Sequence, residues 1–593
     1  MNNRKLLYIV CILLTFAIGI ILRVVIPDTT RAIIVGDETT YNHAAENLVK
    51  HGTVTFDMNG DMFKGIREVV PTSALQPGYP IYISIIYVLF GHSTQAVLTS
   101  QIFLSILSLW LIFKMLELIN VRKPYIVISL ALAAVYPGFL YNIDRMLTET
   151  LFTTLLLLFS YFFLRSLQSN NIILLGVSGM FLACATHVRA LAFPFIIVAI
   201  FVLVIYEKRN KINTIKNLSA FIGITILFML PWWIRNVLTF DRFMLFTEAG
   251  EGPKVWGAVP YFIDMASTSN LSLSEIINNN AAPSPSTYYK WRLFGFFQYM
   301  WGDLWDEHLV HPFKYLRPLL IIQQLIVVPC IIVTPFLLRK CRKEVLFISC
   351  FPIAFTLMNM PFHGLPRYVY PSMPFVLILS GVALERLVNF IRKQKVHKEE
   401  NFLFGWQRLT DKWTRILYTV FASFFSIILF YSVYFFAYNI NSEMSEYRLS
   451  KYESTSIESI KSSEPIASKI YDVDKMIIEN SIQLKNHKFT NIPEAPSIIK
   501  VQDELLQNEK VVTEVHLEIQ GGYIHDYMTV YWTGKKTSEI TENAVYRFPI
   551  NAFEKSQKIY IDDDVNSLMI VPTVFRNGKF EIHSIKINKY EVK

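Results

Sequence analysis

Long apolar runs separated by short basic loops constrain this chain more than any other feature. Such runs occur at about 6–26, 94–119, 124–141, 147–167, 172–188, 190–206, 217–235, 318–338, 345–361, 366–387 and 415–438. About 30 Å of hydrocarbon can be crossed only by backbone that satisfies its own hydrogen bonds, so these runs predict helices and a polytopic membrane protein. Arg4 and Lys5, Arg122 and Lys123, Lys208 to Lys211, Arg339 to Lys343, and Arg392 to Lys395 share one side if the eleven spans alternate. That side is the cytoplasm, because basic loops stay inside. Reading 172–206 as two passes keeps this parity. The net charge of +9 is therefore an orientation signal and not a nucleic-acid footprint. A chain that is 52% hydrophobic and 14% aromatic does not read as a soluble enzyme. The five cysteines lie in or beside apolar runs without a CxxC pair, which implies neither a disulfide framework nor a cysteine metal site.

The run from Pro80 to Phe90 is too short to cross, and counting it as a span would reverse every later loop. It reads as an interfacial or re-entrant helix introduced by Pro77, Gly78, Tyr79 and Pro80. The expected organisation is a membrane domain over 1–438 with outer loops 27–93 and 236–317, a polar and partly helical linker over 439–510, and a β-sandwich over 511–593 outside the membrane. Period-two alternation supports the last part: Val515, Leu517 and Ile519; Met528, Val530 and Trp532; Ile559 and Ile561. The stretch with Trp406 and Trp413 reads as an amphipathic helix on the inner leaflet.

The residues that could carry chemistry gather on the outer face. Asp37 and Glu38 follow the first span by about ten residues; they could cap a helix, or one could take a proton from a hydroxyl while the other orients it. Asp144 and Glu149 form a second acidic group, and Glu149 sits at the end of an apolar helix, where an ionisable side chain marks a functional candidate. Arg189, Arg235 and Arg367 stand at outer ends of spans, against the charge bias, and a guanidinium matches phosphate bidentately. Singly, each is most simply an interfacial anchor; together with the acids they point to a phosphorylated lipid. Trp256, Tyr288, Tyr289, Trp291, Trp301 and Trp305 could stack on sugars, although an aromatic belt explains them more simply. His187, His308, His311 and His363 lack metal-ligand spacing, and Asp562, Asp563 and Asp564 read as a solvated turn. P-loop, dinucleotide, nucleophile-elbow and nucleic-acid motifs are absent from the sequence, so no nucleotide is expected as direct donor.

Five motifs in this order resemble the C-type (GT-C) glycosyltransferase fold of bacterial relatives of protein O-mannosyltransferases and of the lipid A aminoarabinose transferase. They are Gly36-Asp37-Glu38 with Tyr41; Gln76-Pro77-Gly78-Tyr79-Pro80; Asp144 with Thr148-Glu149; Pro231-Trp232-Trp233-Ile234-Arg235-Asn236; and Arg367-Tyr368 with Pro371 and Pro374. The resemblance covers roughly 6–390 and implies inverting transfer of a sugar from a polyprenyl-phosphate carrier to a hydroxyl of a glycan, lipid or protein on the non-cytoplasmic side. It implies Asp37 as base or key acid with Glu38 as its partner. For donor phosphate or sugar contacts it implies Arg189, Arg235 and Arg367, with Tyr41, Asp144 and Glu149 in the same site. Gln76 departs from the pattern, since some relatives carry a basic residue there. The carboxylates would permit Mg²⁺ or Mn²⁺ without requiring it. The implied location is a bacterial plasma membrane, with the N-terminus cytoplasmic and the C-terminal domain outside. A lipid-linked-sugar flippase or transporter is the alternative, but it would place its ionisable groups near the midplane, in repeated halves.

Overall fold

The computed structural model describes residues 3–27, 29, 37–55, 71–206, 211–247, 257–259, 273–281, 285–291, 300, 343–359, 366–391, 464–473, 476–484, 487–491, 497–506, 511–521, 526–536, 538, 545–550, 556–561, 563–572 and 579–591. The expected spans at 318–338 and 415–438 lie outside them, as do Trp256, Trp301, Trp305, His308, His311, His363, Trp406, Trp413 and Asp562. The chain divides into two compact units, Met1–Glu251 with Ile322–Asn359 and Arg367–Phe430, and Gly252–Ile321 with Met360–Pro366 and Tyr431–Lys593.

The first unit is helical. Its elements are α1 (Asn3–Val25), α2 (Asp37–His51), α3 (Gly78–Phe90), α4 (Thr94–Leu118), α5 (Lys123–Val135), α6 (Pro137–Tyr141), α7 (Glu149–Ser169), α8 (Ile172–Val188), α9 (Phe195–Tyr206) and α10 (Lys211–Phe240), followed by helices Lys343–Asn359 and Met373–Ile391. Among the described residues four helices are long and apolar enough to cross a membrane, or five if α5 and the broken segment after it form one span. The expected runs 172–188, 190–206 and 345–361 are present as shorter apolar helices. The described residues of the loop 27–93 include α2, a bridge between Thr55 and Pro71, and α3.

The span expected at 124–141 is broken. Pro137 has no N–H to donate, and Tyr136 before it is extended, so α5 stops at Val135. The last carbonyls of α5 then need partners. Buried Arg23 of α1 supplies them, donating Nη1 to Ala134 O at 3.0 Å and Nη2 to Ala133 O at 3.3 Å, while its Nε reaches Ser105 Oγ at 2.9 Å. Ser93 caps α4 by accepting from the Ala96 N–H at 3.2 Å. Stacked phenylalanines fill the core between helices, including Phe195 on Phe351 at 4.3 Å and Phe351 on Phe375 at 3.8 Å between ring centres. At the start of α3, a Cβ on Gly78 would lie 2.6 Å from the His187 carbonyl carbon. Only glycine lets α3 approach the end of α8 so closely.

The second unit is β-rich at its C-terminal end. Among the described residues eleven antiparallel strands, β1 (Ala467–Asp472), β2 (Ile477–Glu479), β3 (Ser481–Gln483), β4 (Lys488–Asn491), β5 (Ile498–Gln502), β6 (Val511–Gly521), β7 (Asp526–Gly534), β8 (Val545–Ile550), β9 (Gln557–Ile561), β10 (Val565–Val571) and β11 (Lys579–Glu591), form two sheets, one ordered β3-β4-β11-β6-β9 with β1 also on β11, the other β2-β5-β10-β7-β8. The alternating residues singled out in the sequence lie in β6 (Val511–Gly521), β7 (Asp526–Gly534) and β9 (Gln557–Ile561). Val515, Leu517, Ile519, Met528, Val530, Trp532, Ile559 and Ile561 share one apolar core. Two expectations need correction. The stretch 439–510 is not only a linker, because β1 (Ala467–Asp472), β2 (Ile477–Glu479), β3 (Ser481–Gln483), β4 (Lys488–Asn491) and β5 (Ile498–Gln502) fall within it. Most of these strands are short, with half their residues or more exposed, so they show little alternation. Asp563 and Asp564 are buried rather than solvated: Asp564 Oδ1 accepts from Lys589 Nζ at 2.7 Å and Asp563 Oδ1 from the Lys536 N–H at 2.8 Å.

Candidate functional site

Most of the candidate acids and arginines of the helical unit converge, although they come from four separate places in the sequence, 37–41, 144–149, 189 and 367. Asp37 opens α2, where a carboxylate faces the positive end of the helix dipole. Its Oδ2 accepts from Arg367 Nη2 at 3.0 Å, across 330 residues. Glu38, the next residue, turns inward; its Oε1 accepts from the Met146 N–H at 3.0 Å. The two adjacent acids are thus split, one half exposed to solvent and one buried on the 142–148 corner.

Glu149 opens α7 and is fully buried. Arg189, at the end of α8, donates Nη2 to Glu149 Oε1 at 2.6 Å and Nε to Thr148 Oγ1 at 2.6 Å. Thr148 in turn donates to Glu149 Oε2 at 3.3 Å. A buried carboxylate needs such a partner, because an isolated charge in an apolar medium costs several kcal/mol. The Tyr368 ring lies beside both arginines, 5.9 Å from the Arg189 guanidinium and 5.5 Å from that of Arg367. Those distances suit cation–π attraction.

Tyr41, half-buried on α2, lies near both ion pairs. One helical turn beyond Asp37, it packs edge-on against Tyr79 at 5.1 Å. Burial pushes its phenol well above the usual range; the charges of Asp37 and Glu149 add to this, and Arg189 and Arg367 oppose it. All four charged groups therefore act on one hydroxyl. Asp144 lies half-buried on the 3-10 turn Asn142–Asp144, on the same corner that meets Glu38.

Arg235 stands apart from these pairs. It sits inside α10, donates Nη1 to Thr72 O and to Asn236 Oδ1, each at 2.9 Å, and packs on Trp232 and Phe240. Among the described residues its Nη2 is a buried donor with no hydrogen-bond acceptor, and so is Nε2 of Gln76, four residues beyond Thr72. Buried donors of this kind call for an acceptor.

Other expectations change. Tyr288 and Trp291 are buried in the second unit, so of the described loop aromatics only Tyr289 is exposed. His187 Nε2 lies 2.9 Å from Phe228 O, a packing contact between α8 and α10. Among the described residues no three His, Cys, Asp or Glu side chains converge to hold a metal. Asp37 and Glu149 are each matched to an arginine. The sequence reading passed over Arg23 and Gln101. Their signal was there, since an arginine and a glutamine within apolar helices are polar groups that must find partners.

No curated protein matches the chain. Among solved structures it is remotely similar to the oligosaccharyltransferase AglB of Archaeoglobus fulgidus, in complex with an inhibitory peptide and a dolichol-phosphate, at 14% identity over 73% of this chain and 56% of that one, with a TM-score of 0.43. It is similar to ArnT of Cupriavidus metallidurans bound to undecaprenyl phosphate at 12% identity over 71% and 75%, TM-score 0.37, and to the arabinosyltransferase EmbB of Mycobacterium smegmatis at 10% over 98% and 63%, TM-score 0.27. The chain spans little more than half the length of the archaeal enzyme. The model of the dolichyl-phosphate-mannose-protein mannosyltransferase family matches residues 73–234. The segment that carries Gln76, Asp144, Glu149 and Arg189 is thus similar to the family toward which the motifs pointed, with Asp37, Arg235 and Arg367 lying outside the matched stretch.

Proposed function

We propose that the chain transfers a sugar from a polyprenyl-phosphate carrier to a hydroxyl on a glycan, lipid or protein at the outer face of the membrane. The observation that carries this reading is the pair of carboxylate–arginine contacts, Asp37 with Arg367 and Glu149 with Arg189, joined through the Tyr368 ring. Asp37 is the exposed carboxylate of the group and the one that an acceptor hydroxyl can reach.

In this scheme Asp37 takes the hydroxyl proton as the acceptor oxygen bonds to the anomeric carbon. The bond from that carbon to the phosphate oxygen breaks on the opposite side, so the configuration inverts. The electron pair leaves on the phosphate. Arginines near that oxygen stabilise the growing negative charge, a contribution present mainly in the transition state. The unmatched donors of Arg235 and Gln76, beside the 71–76 segment, suit phosphate oxygens. The eleven-span topology, the stacking of the two sheets as a sandwich outside the membrane, and a role for the C-terminal strands in acceptor choice belong to the same proposal.

The test is turnover of radiolabelled polyprenyl-phosphate sugars, mannose first, by the full chain in proteoliposomes. Asp37→Asn should lower turnover by about 100- to 10,000-fold, the usual cost of removing a general base. Its thermal stability should stay near that of the parent, because the carboxylate is exposed. A parent inert on every carrier-linked sugar, or an Asp37→Asn variant with parental turnover, would overturn the assignment.

A further inference from the structure

Between α6 and α7 the backbone leaves the helix at the 3-10 turn Asn142–Asp144 and runs irregularly to Thr148. This corner delivers the Met146 N–H to Glu38 and sets Thr148 and Glu149 against Arg189. Irregular backbone inside an apolar bundle exposes carbonyls that water does not reach, and each requires a donor. Some are held locally: Asn142 O accepts from Thr150 Oγ1 at 3.2 Å.

Two are reached from a different helix, and one of these, Arg145 O, also accepts from the Leu147 N–H at 2.8 Å. Gln101, fully buried on α4, donates Nε2 to Ile143 O at 3.0 Å and to Arg145 O at 2.7 Å. Its Oε1 accepts from the Tyr79 hydroxyl at 3.3 Å, and Tyr79 is the ring that Tyr41 packs against. One uncharged amide therefore meets two carbonyls on the corner and one hydroxyl on α3. Glutamate would lack the N–H donors, asparagine would fall short by a methylene, and lysine would bring an unmatched charge.

We propose that Gln101 is a positioning residue for the transfer, fixing the 142–148 corner so that Glu38, Glu149 and Arg189 meet their partners. This inference rests on the function proposed above. Its consequence is a specific kinetic pattern: without Gln101 the acids and the arginine keep their identities but lose their geometry.

The experiment compares Gln101→Leu, Gln101→Glu and Tyr79→Phe in the full chain in proteoliposomes, with turnover of polyprenyl-phosphate mannose and amide hydrogen exchange of 142–149 as readouts. Gln101→Leu should lower kcat by about 100-fold, as a displacement near 1 Å does, with KM little changed and faster exchange in the corner. Gln101→Glu should be as impaired at alkaline pH, where its buried carboxyl is ionised, and should recover relative to Gln101→Leu as the pH falls, because the protonated acid donates one of the two lost bonds. A role in packing alone would show no such recovery. Tyr79→Phe keeps both carbonyl bonds and should lose least. Parental kcat in Gln101→Leu, or a loss shared by Gln101→Glu at every pH, would overturn the proposal. If the parent turns over no lipid-linked sugar, the proposed function fails on its own. The exchange readout then decides the positioning role: unchanged exchange in Gln101→Leu refutes it, and faster exchange confined to 142–149 upholds it.

Discussion

Both units bury charge, and they do so in opposite ways. In the β-rich unit Lys589 and Asp564 form a closed pair, each side chain only 2% exposed, and Asp503 lies 3.5 Å from the same ammonium. Asp564 also accepts from the Leu506 N–H, so its carboxylate is spent on the fold. In the helical unit Glu149 is equally sealed, but its partner Arg189 is 17% exposed, and the neighbouring pair of Arg367 and Asp37 is 26% and 56% exposed. A closed pair has no room for a ligand and reads as structure. A graded cluster, sealed at one end and open at the other, can hold charge in place and still present it to a substrate. Burial of a charge is therefore a poor guide to function by itself; what discriminates is whether the cluster reaches solvent.

The largest effects should come from removing one partner of each sealed pair. Arg189→Met leaves Glu149 buried without a cation, and Lys589→Met leaves Asp564 so; each should cost about 3–5 kcal/mol in unfolding free energy. Chemical denaturation of the two variants would show similar losses, but only Arg189→Met should also lower turnover per folded molecule. Equal loss of turnover in both would erase the distinction between the clusters. Next in size, Arg235→Lys and Arg367→Lys should weaken binding of carrier lipid by roughly tenfold, a loss on the order of one charge-assisted hydrogen bond. Equilibrium binding of undecaprenyl phosphate by both variants checks this, and unchanged affinity would leave both as interfacial anchors.

The smallest effect concerns Glu46 of α2. Burial pushes its carboxyl up, but the hydrogen bond to His92 at 2.8 Å, the charges of His43 and His92, and the bond from Asn42 outweigh that, and the net shift is downward. A depressed carboxyl contributes stability above its unfolded pKa and loses it as pH falls through the folded value. His92 is more than half exposed, so screening limits the pair to less than about 1 kcal/mol. Glu46→Gln should lower the unfolding midpoint slightly at neutral pH and not at all at strongly acidic pH. A deficit that persists in acid would mean that packing, not charge, is lost.

The legible parts of this molecule were those with a local signature. Alternation at Val515, Leu517 and Ile519 marked a strand without any partner in view, and end-of-span placement marked Asp37, Glu149, Arg189 and Arg367. Which acid meets which arginine was not legible, because Asp37 and Arg367 are 330 residues apart and sequence order carries no distance. The acidic run at Asp563 and Asp564 misled because its counter-charge comes from Lys589 on another strand, and a polar triplet looks solvated until that strand is placed. Gln101 and Arg23 escaped notice for the converse reason: a single polar residue barely changes the hydropathy of a long apolar run, although its hydrogen bonds fix where that run can pack.

The most direct test sets the open cluster against the closed one in a single comparison of unfolding midpoint and donor-lipid turnover for Asp37→Asn and Lys589→Met. The account predicts that Asp37→Asn abolishes turnover with a near-parental midpoint, whereas Lys589→Met lowers the midpoint and keeps parental turnover per folded molecule. Turnover retained in Asp37→Asn, with or without loss in Lys589→Met, would contradict it.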